Sequence, residues 1–231
     1  LPEGSIMHYG ACISSLSSQG NMNVDYNTFT NVEVINGHGG AIYAFVQSID
    51  IQRCTFIKCS VSGNSESSDP SAQGGAIYLD ASSGEGEETI KNCLFENCSS
   101  TYSGGAIFAY CYDQNNTVGM PAFHTIKIND CNFSYCKSEV EGGAISSGIK
   151  LGGKPVEGDD DINIFHCSFV GCESGRGGAV FSQDGTESGG EQTTISSCQF
   201  INCFAREGEG YAISCRSYSI SMSNNEFKDH K

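Results

Sequence analysis

The sequence predicts an all-β fold, a parallel β-helix solenoid of about seven coils that spans residues 1–231 as a single domain. Three observations predict it. A set of apolar motifs recurs seven times, their positions alternate with the period of a strand, and no stretch repeats them at helical spacing. Seven copies in 231 residues give about 33 residues per repeat, a solenoid period. The copies lie near 9–32, 39–59, 74–98, 104–136, 142–172, 177–203 and 210–230.

Composition excludes several classes of partner. The chain has 12 Lys and Arg against 27 Asp and Glu, a net charge of -15, so no basic patch for nucleic acid is available. Anionic membrane surfaces are disfavoured for the same reason. The apolar runs are only a few residues long, so we expect no direct membrane insertion. An apolar content of 38% with 29 Gly favours a narrow, regular β core.

The first motif reads Cys-x-Phe-x-x-Cys. It occurs five times, from Cys54–Cys59 to Cys198–Cys203, and degenerate copies at 27–32 and 225–230 keep the Phe but lack both Cys. We expect the Phe side chains to stack inside the solenoid as a core ladder: Phe29, Phe56, Phe95, Phe133, Phe169, Phe200 and Phe227.

Two further elements accompany that motif. Gly-Gly-Ala-Ile or Gly-Gly-Ala-Val precedes it, in weaker form at both ends of the chain, where Cys12 is assigned to the Ile position after Gly-Ala. An apolar residue also lies three positions before the first Cys of each copy, and these residues predict a second inward ladder: Val24, Ile51, Ile90, Ile128, Ile164, Ile195 and Met222.

The spacing of these elements predicts corners. Ile51 and Cys54 are three residues apart, so a straight strand would place them on opposite faces. A two-residue bend, such as Asn129–Asp130, lets both point inward, and most of these bends are rich in turn formers. Short strands joined by such corners wind into a β-helix with coils about 4.8 Å apart. Segments rich in Gly, Ser, Asp and Asn should form surface loops: Gly63–Gln73, Asp113–Ala122 and Leu151–Asp161.

The thirteen cysteines leave two interpretations open. Ten lie in the motif pairs, and the odd total leaves at least one thiol without an intrachain partner. They can form ladders of buried free thiols that act as small apolar groups, or they can form disulfides. Cysteines five apart across a corner rarely meet the disulfide window of roughly 4.4–6.8 Å between Cα atoms. No histidines cluster near them, so we expect no metal site and no cofactor. Free thiols would be compatible with a reducing compartment.

No catalytic residues are predicted. The acidic runs Asp159–Asp161 and Glu85–Glu88 are interpreted as solvated loops. A Cys that recurs in five copies is interpreted as structural, because catalysis would need a nucleophile in only one of them. A carbohydrate-active enzyme remains a third hypothesis, which requires carboxylates within about 5–10 Å on one face. The histidines occupy unrelated repeat positions, where we expect surface or corner roles: His8, His38, His124, His166 and His230.

One contact surface and three modification sites are candidates. Aromatic residues stand two positions after the motif Ala in four copies, where strand alternation predicts that they face outward. They would form an exposed stripe for a protein or glycan partner: Tyr43, Tyr78, Phe108 and Phe181. Three Asn-x-Ser/Thr sequences are candidate glycosylation sites: Asn97, Asn115 and Asn132.

The repeat resembles that of the polymorphic outer membrane proteins, whose signature is Gly-Gly-Ala-Ile followed by Phe-x-x-Asn. Cys replaces the Asn of that signature in five copies of this chain, beginning at Cys59. The resemblance implies a right-handed parallel β-helix that acts as an adhesin. Five copies match the first half of the signature: Gly39–Ile42, Gly74–Ile77, Gly104–Ile107, Gly142–Ile145 and Gly177–Val180.

Together these observations favour a non-enzymatic, adhesin-like β-helix that is extracellular or on the cell surface and binds a protein or glycan partner. The alternative is a structural solenoid within a filament or a large assembly, which could be intracellular. Both ends interrupt the repeat, so we expect protein partners or continuing chain at both ends of the solenoid.

Overall fold

The computed structural model describes residues 8–63, 72–80, 86–110, 124–148, 161–183, 192–217 and 219–229. These residues form strands and no helix, and the strands pair in parallel, which confirms the all-β parallel fold. The strands in chain order are β1 His8–Tyr9, β2 Ile13–Asp25, β3 Thr28–Thr30, β4 Glu33–Ile35, β5 Gly37–His38, β6 Ile42–Gln52, β7 Thr55–Ile57, β8 Ser60–Ser62, β9 Ile77–Asp80, β10 Gly86–Lys91, β11 Leu94–Glu96, β12 Ser99–Ser100, β13 Ile107–Tyr110, β14 His124–Asn129, β15 Asn132–Ser134, β16 Lys137–Ser138, β17 Ile145–Gly148, β18 Asp161–Phe165, β19 Ser168–Val170, β20 Glu173–Arg176, β21 Val180–Gln183, β22 Gln192–Ser196, β23 Gln199–Ile201, β24 Phe204–Glu209, β25 Ile213–Arg216, β26 Ser219–Ser223 and β27 Glu226–Lys228.

Three sheets make the walls of the solenoid. A 7-stranded sheet holds the Phe motif, in the order β27-β23-β19-β15-β11-β7-β3, which counts seven coils. A 6-stranded sheet follows it in the first six coils, in the order β24-β20-β16-β12-β8-β4. The 12-stranded sheet contains the strands after each Gly-Gly-Ala and the strands before each Phe motif; β6 joins the two halves and pairs with β2. The right-handed winding stays a prediction, in keeping with the general preference of parallel crossovers.

Corner residues in the left-handed region turn the chain between sheets. The residue directly before each Phe motif has φ of +50 to +56°, and the residue before the second Cys position has φ of +52 to +60°. The predicted two-residue bends therefore form, and each turns at its second residue. The first corner consists of Tyr26, Arg53, Asn92, Asp130, His166, Ser197 and Asn224. The second corner consists of Asn31, Lys58, Asn97, Tyr135, Gly171, Asn202 and Asp229.

The Phe side chains stack inside the solenoid, as the motif predicts. Neighbouring rings lie 4.7–5.1 Å apart and within 10° of parallel from Phe29 to Phe227. The second ladder is also in register, from Val24 through Ile51 to Met222. Both ladders lie in one hydrophobic core with the ten motif cysteines, except for their last members, Met222 and Phe227, which are 45% and 49% exposed at the end of the stack.

Glycine is required at the two motif positions for different reasons. The first, such as Gly104, has φ of +66°, a conformation that glycine adopts without strain. The second, such as Gly105, lies so close to the next coil that an added Cβ would meet the carbonyl oxygen of Gly143. Side chains are therefore excluded from this corner in the inner coils, and only the end coils carry them there, at Ala11 and Tyr211.

Three sequence assignments need correction. Ile13, not Cys12, pairs with Ile42, because the first copy lacks one motif glycine and its alignment shifts by one residue. Gln73, assigned to the end of a surface loop, is buried, so that loop ends earlier. Asp161, assigned to the end of another, begins β18. Residues 64–71, 113–122 and 151–160 lie outside the described part of the chain.

The acidic run Glu85–Glu88 was also assigned wrongly in part. Glu87 and Glu88 lie in β10, and Glu88 is buried in the column that holds Ile49 and Ile126. Glu87 forms an ion pair with Lys127 at 2.6 Å. Glu85 lies outside the described residues.

The Phe ladder predicts that the same substitution has unequal effects at the centre and at the end. Phe133→Ala should lower the free energy of unfolding by about 3–5 kcal/mol, because its ring is fully buried between two others. Phe227→Ala should cost about 1 kcal/mol or less, because Phe227 is 49% exposed. Urea unfolding of both variants measures this difference. Equal losses would contradict the ladder.

The second corner predicts a stabilising change. Lys58 is an exposed residue with φ of +52°, a conformation that Asn tolerates better than Lys. Lys58→Asn should raise the free energy of unfolding by about 0.5–1 kcal/mol, measured by urea unfolding. Lys58→Ala is the control and should bring no gain; an equal gain from Ala would show that loss of the charge, not the backbone, is responsible.

Candidate functional site

The predicted exposed stripe is buried. Alternation places it on the outside of the wall, since Ile77 and Leu79 belong to the core while Tyr78 stacks with Tyr43 and Phe108 in a separate cluster. All four aromatic residues, Phe181 included, are at most 7% exposed, so the prediction of an exposed contact surface is wrong. Strand alternation identifies the face on which a side chain lies, but it does not show whether other residues bury that face.

A column of mainly polar residues borders the aromatic residues. Each member directly precedes a motif glycine, and cross-coil backbone hydrogen bonds and bridges keep successive members side by side. His38 places its ring 4.6 Å from that of Tyr78, and the Arg176 guanidinium lies 5.5 Å from the ring of Phe181. Burial of His38 corrects its assignment as a surface residue. The column consists of His38, Gln73, Ser103, Glu141, Arg176 and Glu209.

This polar column was missed by the sequence analysis. The signal was present: the residue before each repeated Gly-Gly is polar or charged, in five copies out of five. The apolar positions alone do not reveal it. Its members differ in chemistry from coil to coil, so it has no single-residue signature.

Glu141 is a carboxyl group of the column whose pKa is shifted by its surroundings. Its Oε1 lies 2.6 Å from Nη2 of Arg176, and Ser103 Oγ donates to its Oε2 at 3.4 Å. Burial raises the pKa of Glu141 above its usual range, although Arg176 opposes the shift. Burial and the Glu141 charge also raise the pKa of Tyr102. A partly buried carboxylate therefore lies among polar groups beside the aromatic residues.

A small hollow lies in the aromatic column where Ser146 interrupts the run of rings. Ser146 occupies the register position between Phe108 and Phe181, so a hydroxymethyl group stands where its neighbours carry rings. The hollow has room for one water-sized group, about 20 Å³. Its lining is Gln73, Tyr102, Phe108, Glu141, Ser146, Ser147, Gly148, Phe181 and Gln183.

A larger and more open groove follows the first corner. It has a volume of about 400 Å³, within the range of small-molecule sites, and it crosses four coils. Arg53 pairs with Asp25 and stacks 4.5 Å from the ring of Tyr26, which is 75% exposed. We call this surface the corner groove. Its lining is Tyr26, Arg53, Cys54, Thr55, Asn92, Cys93, Leu94, Asp130 and Asn132.

The motif cysteines are buried free thiols in this structure. Each thiol donates to backbone carbonyls; for example Cys98 Sγ donates to the oxygen of Phe56 at 3.5 Å. Burial raises the pKa of the Cys131 and Cys136 thiols, so they stay protonated and unreactive. Among the described residues no group of three or more His, Cys, Asp and Glu could hold a metal ion.

The structure describes two of the three candidate glycosylation sites. Asn132 is exposed at the start of β15, and Asn97 is exposed at the second corner. Asn115 lies outside the described residues, as does Cys111. No helix in the described ranges is long and apolar enough to span a membrane.

Comparison with protein-family models, curated proteins and solved structures finds no match to this chain. Function must therefore be inferred from its own surfaces.

Burial predicts the order in which cysteines react. Cys12 is exposed and Cys215 is partly exposed, whereas the ten motif thiols are buried. N-ethylmaleimide should modify Cys12 first and Cys215 more slowly, and the motif thiols should react only when the protein unfolds. Peptide mapping by mass spectrometry at successive times measures the order. Rapid modification of Cys131 and Cys136 in the native protein would contradict the buried ladder.

Proposed function

We propose that this chain is a non-enzymatic, adhesin-like binding β-helix of the cell surface or extracellular space, and that the corner groove is its contact surface. The aromatic stripe predicted as the contact surface is buried, so we assign that role to the corner groove instead. It offers side chains from four successive coils over about three coil steps, roughly 14 Å.

The groove favours a ligand that bonds to side chains. Its backbone groups are used between coils: Asn92 N donates to the oxygen of Asn129 at 3.0 Å, and Asn132 N donates to that of Cys93 at 2.9 Å. An added peptide strand would find few free backbone partners there. Amide, carboxylate and hydroxyl side chains remain available, and they match a ligand whose hydroxyls both donate and accept.

The charges of the groove favour a neutral ligand. Arg53, the cation of the groove lining, is paired with Asp25, so the described lining offers no free cation to an anionic ligand. Asp130, 3.7 Å from Nδ1 of His166, stays available to accept hydrogen bonds. The net charge of -15 opposes a polyanion. We therefore assign a neutral glycan to this surface.

The test removes side chains from the groove without changing the corner. Asn92 and Asp130 both have positive φ, so Asn92→Gly with Asp130→Gly keeps a comfortable backbone and deletes two polar groups. On an array of neutral oligosaccharides, this double variant should bind at least about tenfold more weakly than the parent. The protein should be made without N-glycosylation, because Asn132 lines the groove.

The matched control is Asn97→Gly with Asn202→Gly, which makes the same kind of change at the second corner, away from the groove lining. Its binding should equal that of the parent. The groove assignment is wrong if both double variants lose binding equally. The glycan proposal is wrong if the parent binds only sulfated oligosaccharides or none.

A structural solenoid is the second candidate, and the ten buried free thiols favour it, since such thiols persist most readily in a reducing compartment. Protein from its native source distinguishes the two. A glycan on Asn97 supports the extracellular proposal, whereas free thiols throughout with no glycan support the structural one. A glycan on Asn132 would also place the chain outside the cell, but it would contradict the corner groove as the contact surface, since Asn132 lines it.

A further inference from the structure

The hollow beside Ser146 is a built cavity whose chemistry the proposed function does not use. Phe108 and Phe181 flank it one coil away on either side, about 10 Å apart along the rod, and Ser146 supplies no ring between them. Its walls carry Gln73 and Glu141 from the polar column. Ser146 has a ring on both sides, whereas Ser14 and Ser214, at the same position in the end coils, each adjoin only one.

The size of the hollow limits its occupant. A volume of about 20 Å³ accepts one group of the size of water. A sugar or an aromatic ring is too large. Calcium and magnesium require six or more oxygen ligands, which a hollow with two aromatic walls does not supply.

The polar atoms of the hollow require a donor. Gln73 is 2% exposed, and its Oε1 is buried with no hydrogen-bond partner among the residues that the structure describes. A buried acceptor of this kind costs free energy until a donor reaches it. An occupant that donates hydrogen bonds removes that cost.

The acceptors of the hollow favour an occupant that only donates hydrogen bonds, whereas water also accepts them. The Glu141 carboxylate shares one oxygen with Arg176, while its other oxygen receives a long bond from Ser103. Aromatic faces attract cations, and that of Phe108 borders the hollow; the ring of Phe181 already has the Arg176 and Arg216 guanidinium groups 5.5 and 5.9 Å away. An ammonium group has the size of water, only donates hydrogen bonds and binds aromatic faces.

We propose that the hollow binds an ammonium group, either the free ion or the head of an alkylammonium chain, held by Gln73 Oε1 and the Glu141 carboxylate between Phe108 and Phe181. This site is separate from the corner groove, so its failure would leave the glycan proposal untouched.

The melting temperature of the 231-residue chain tests the site. At equal ionic strength it should be higher in ammonium chloride than in sodium or potassium chloride, and the increase should grow with concentration. Methylammonium should act similarly if an alkylammonium head fits; no effect of methylammonium would identify the free ion. Tetramethylammonium should have no effect because it is too large. With ¹⁵N-ammonium, nuclear Overhauser contacts to ring protons of Phe108 would locate the ion.

Three variants separate binding from folding, because each is compared with itself in the two salts. Glu141→Gln should abolish the ammonium-specific increase, and so should Ser146→Val, which fills the hollow without removing a charge. Glu173→Gln is the matched control and should keep the increase. Its carboxylate is paired with Arg206 and Lys137 away from the hollow lining.

Three outcomes would overturn the proposal. Equal melting temperatures in ammonium and sodium show that a water alone occupies the hollow. An equal effect of potassium shows a site without ammonium chemistry. An unchanged increase in both Glu141→Gln and Ser146→Val shows that ammonium acts elsewhere.

Discussion

The spacing of parallel strands governs this molecule. Backbone hydrogen bonds between coils hold successive strands at one distance, and side chains at the same repeat position must stack at that distance. Aromatic rings on their own prefer offset or edge-to-face contacts. Here the backbone imposes rings less than 10° from parallel over most of the stack, from Phe56 to Phe200. Burial compensates, since none of these rings exposes more than 1% of its surface.

The same rule operates on the outside of the wall. A position that faces outward in one coil faces outward in every coil, so its residues form a column with neighbours above and below. Where the column holds alike residues, as Tyr43, Tyr78 and Phe108 do, it closes into a secondary core. Where one member is smaller, as at Ser146, a space of defined size remains. Variation within a column therefore creates local chemistry without altering the fold.

The spacing of apolar residues in the sequence predicted the corners and the faces of the strands. It did not predict which outer residues are buried by neighbouring side chains, nor the register of the first copy. The three-residue interval from Ile51 to Cys54 required a bend, and the structure places Arg53 in the left-handed region there. Alternation placed Tyr78 on the outer side, but it could not reveal the ring of His38 packed against it. The first copy slipped by one residue because only one glycine remained to align it.

The polar column and Glu88 show a further limit. A charged residue within an apolar pattern predicts a loop when its neighbours are acidic, yet Glu88 lies in a strand whose register is determined by Ile90 pairing with Ile51. Strand pairing across coils therefore outweighs local polarity. Gln73 and Glu141 illustrate the same limit, because their importance depends on neighbours about forty residues away along the chain or in the next coils.

The distance along the chain between stacked rings has no effect on their distance in space. Phe29 and Phe56 are 27 residues apart, Phe95 and Phe133 are 38 apart, and both pairs stack at less than 5 Å. Most of the extra residues enter between the two halves of the long sheet, after β9, β13, β17 and β21, and one further insertion lies between β8 and β9. Chain length can thus change at the edge after these four strands while the walls keep their register. This edge is the natural place to graft a foreign peptide for display, since the scaffold accommodates insertions there that differ in length from coil to coil.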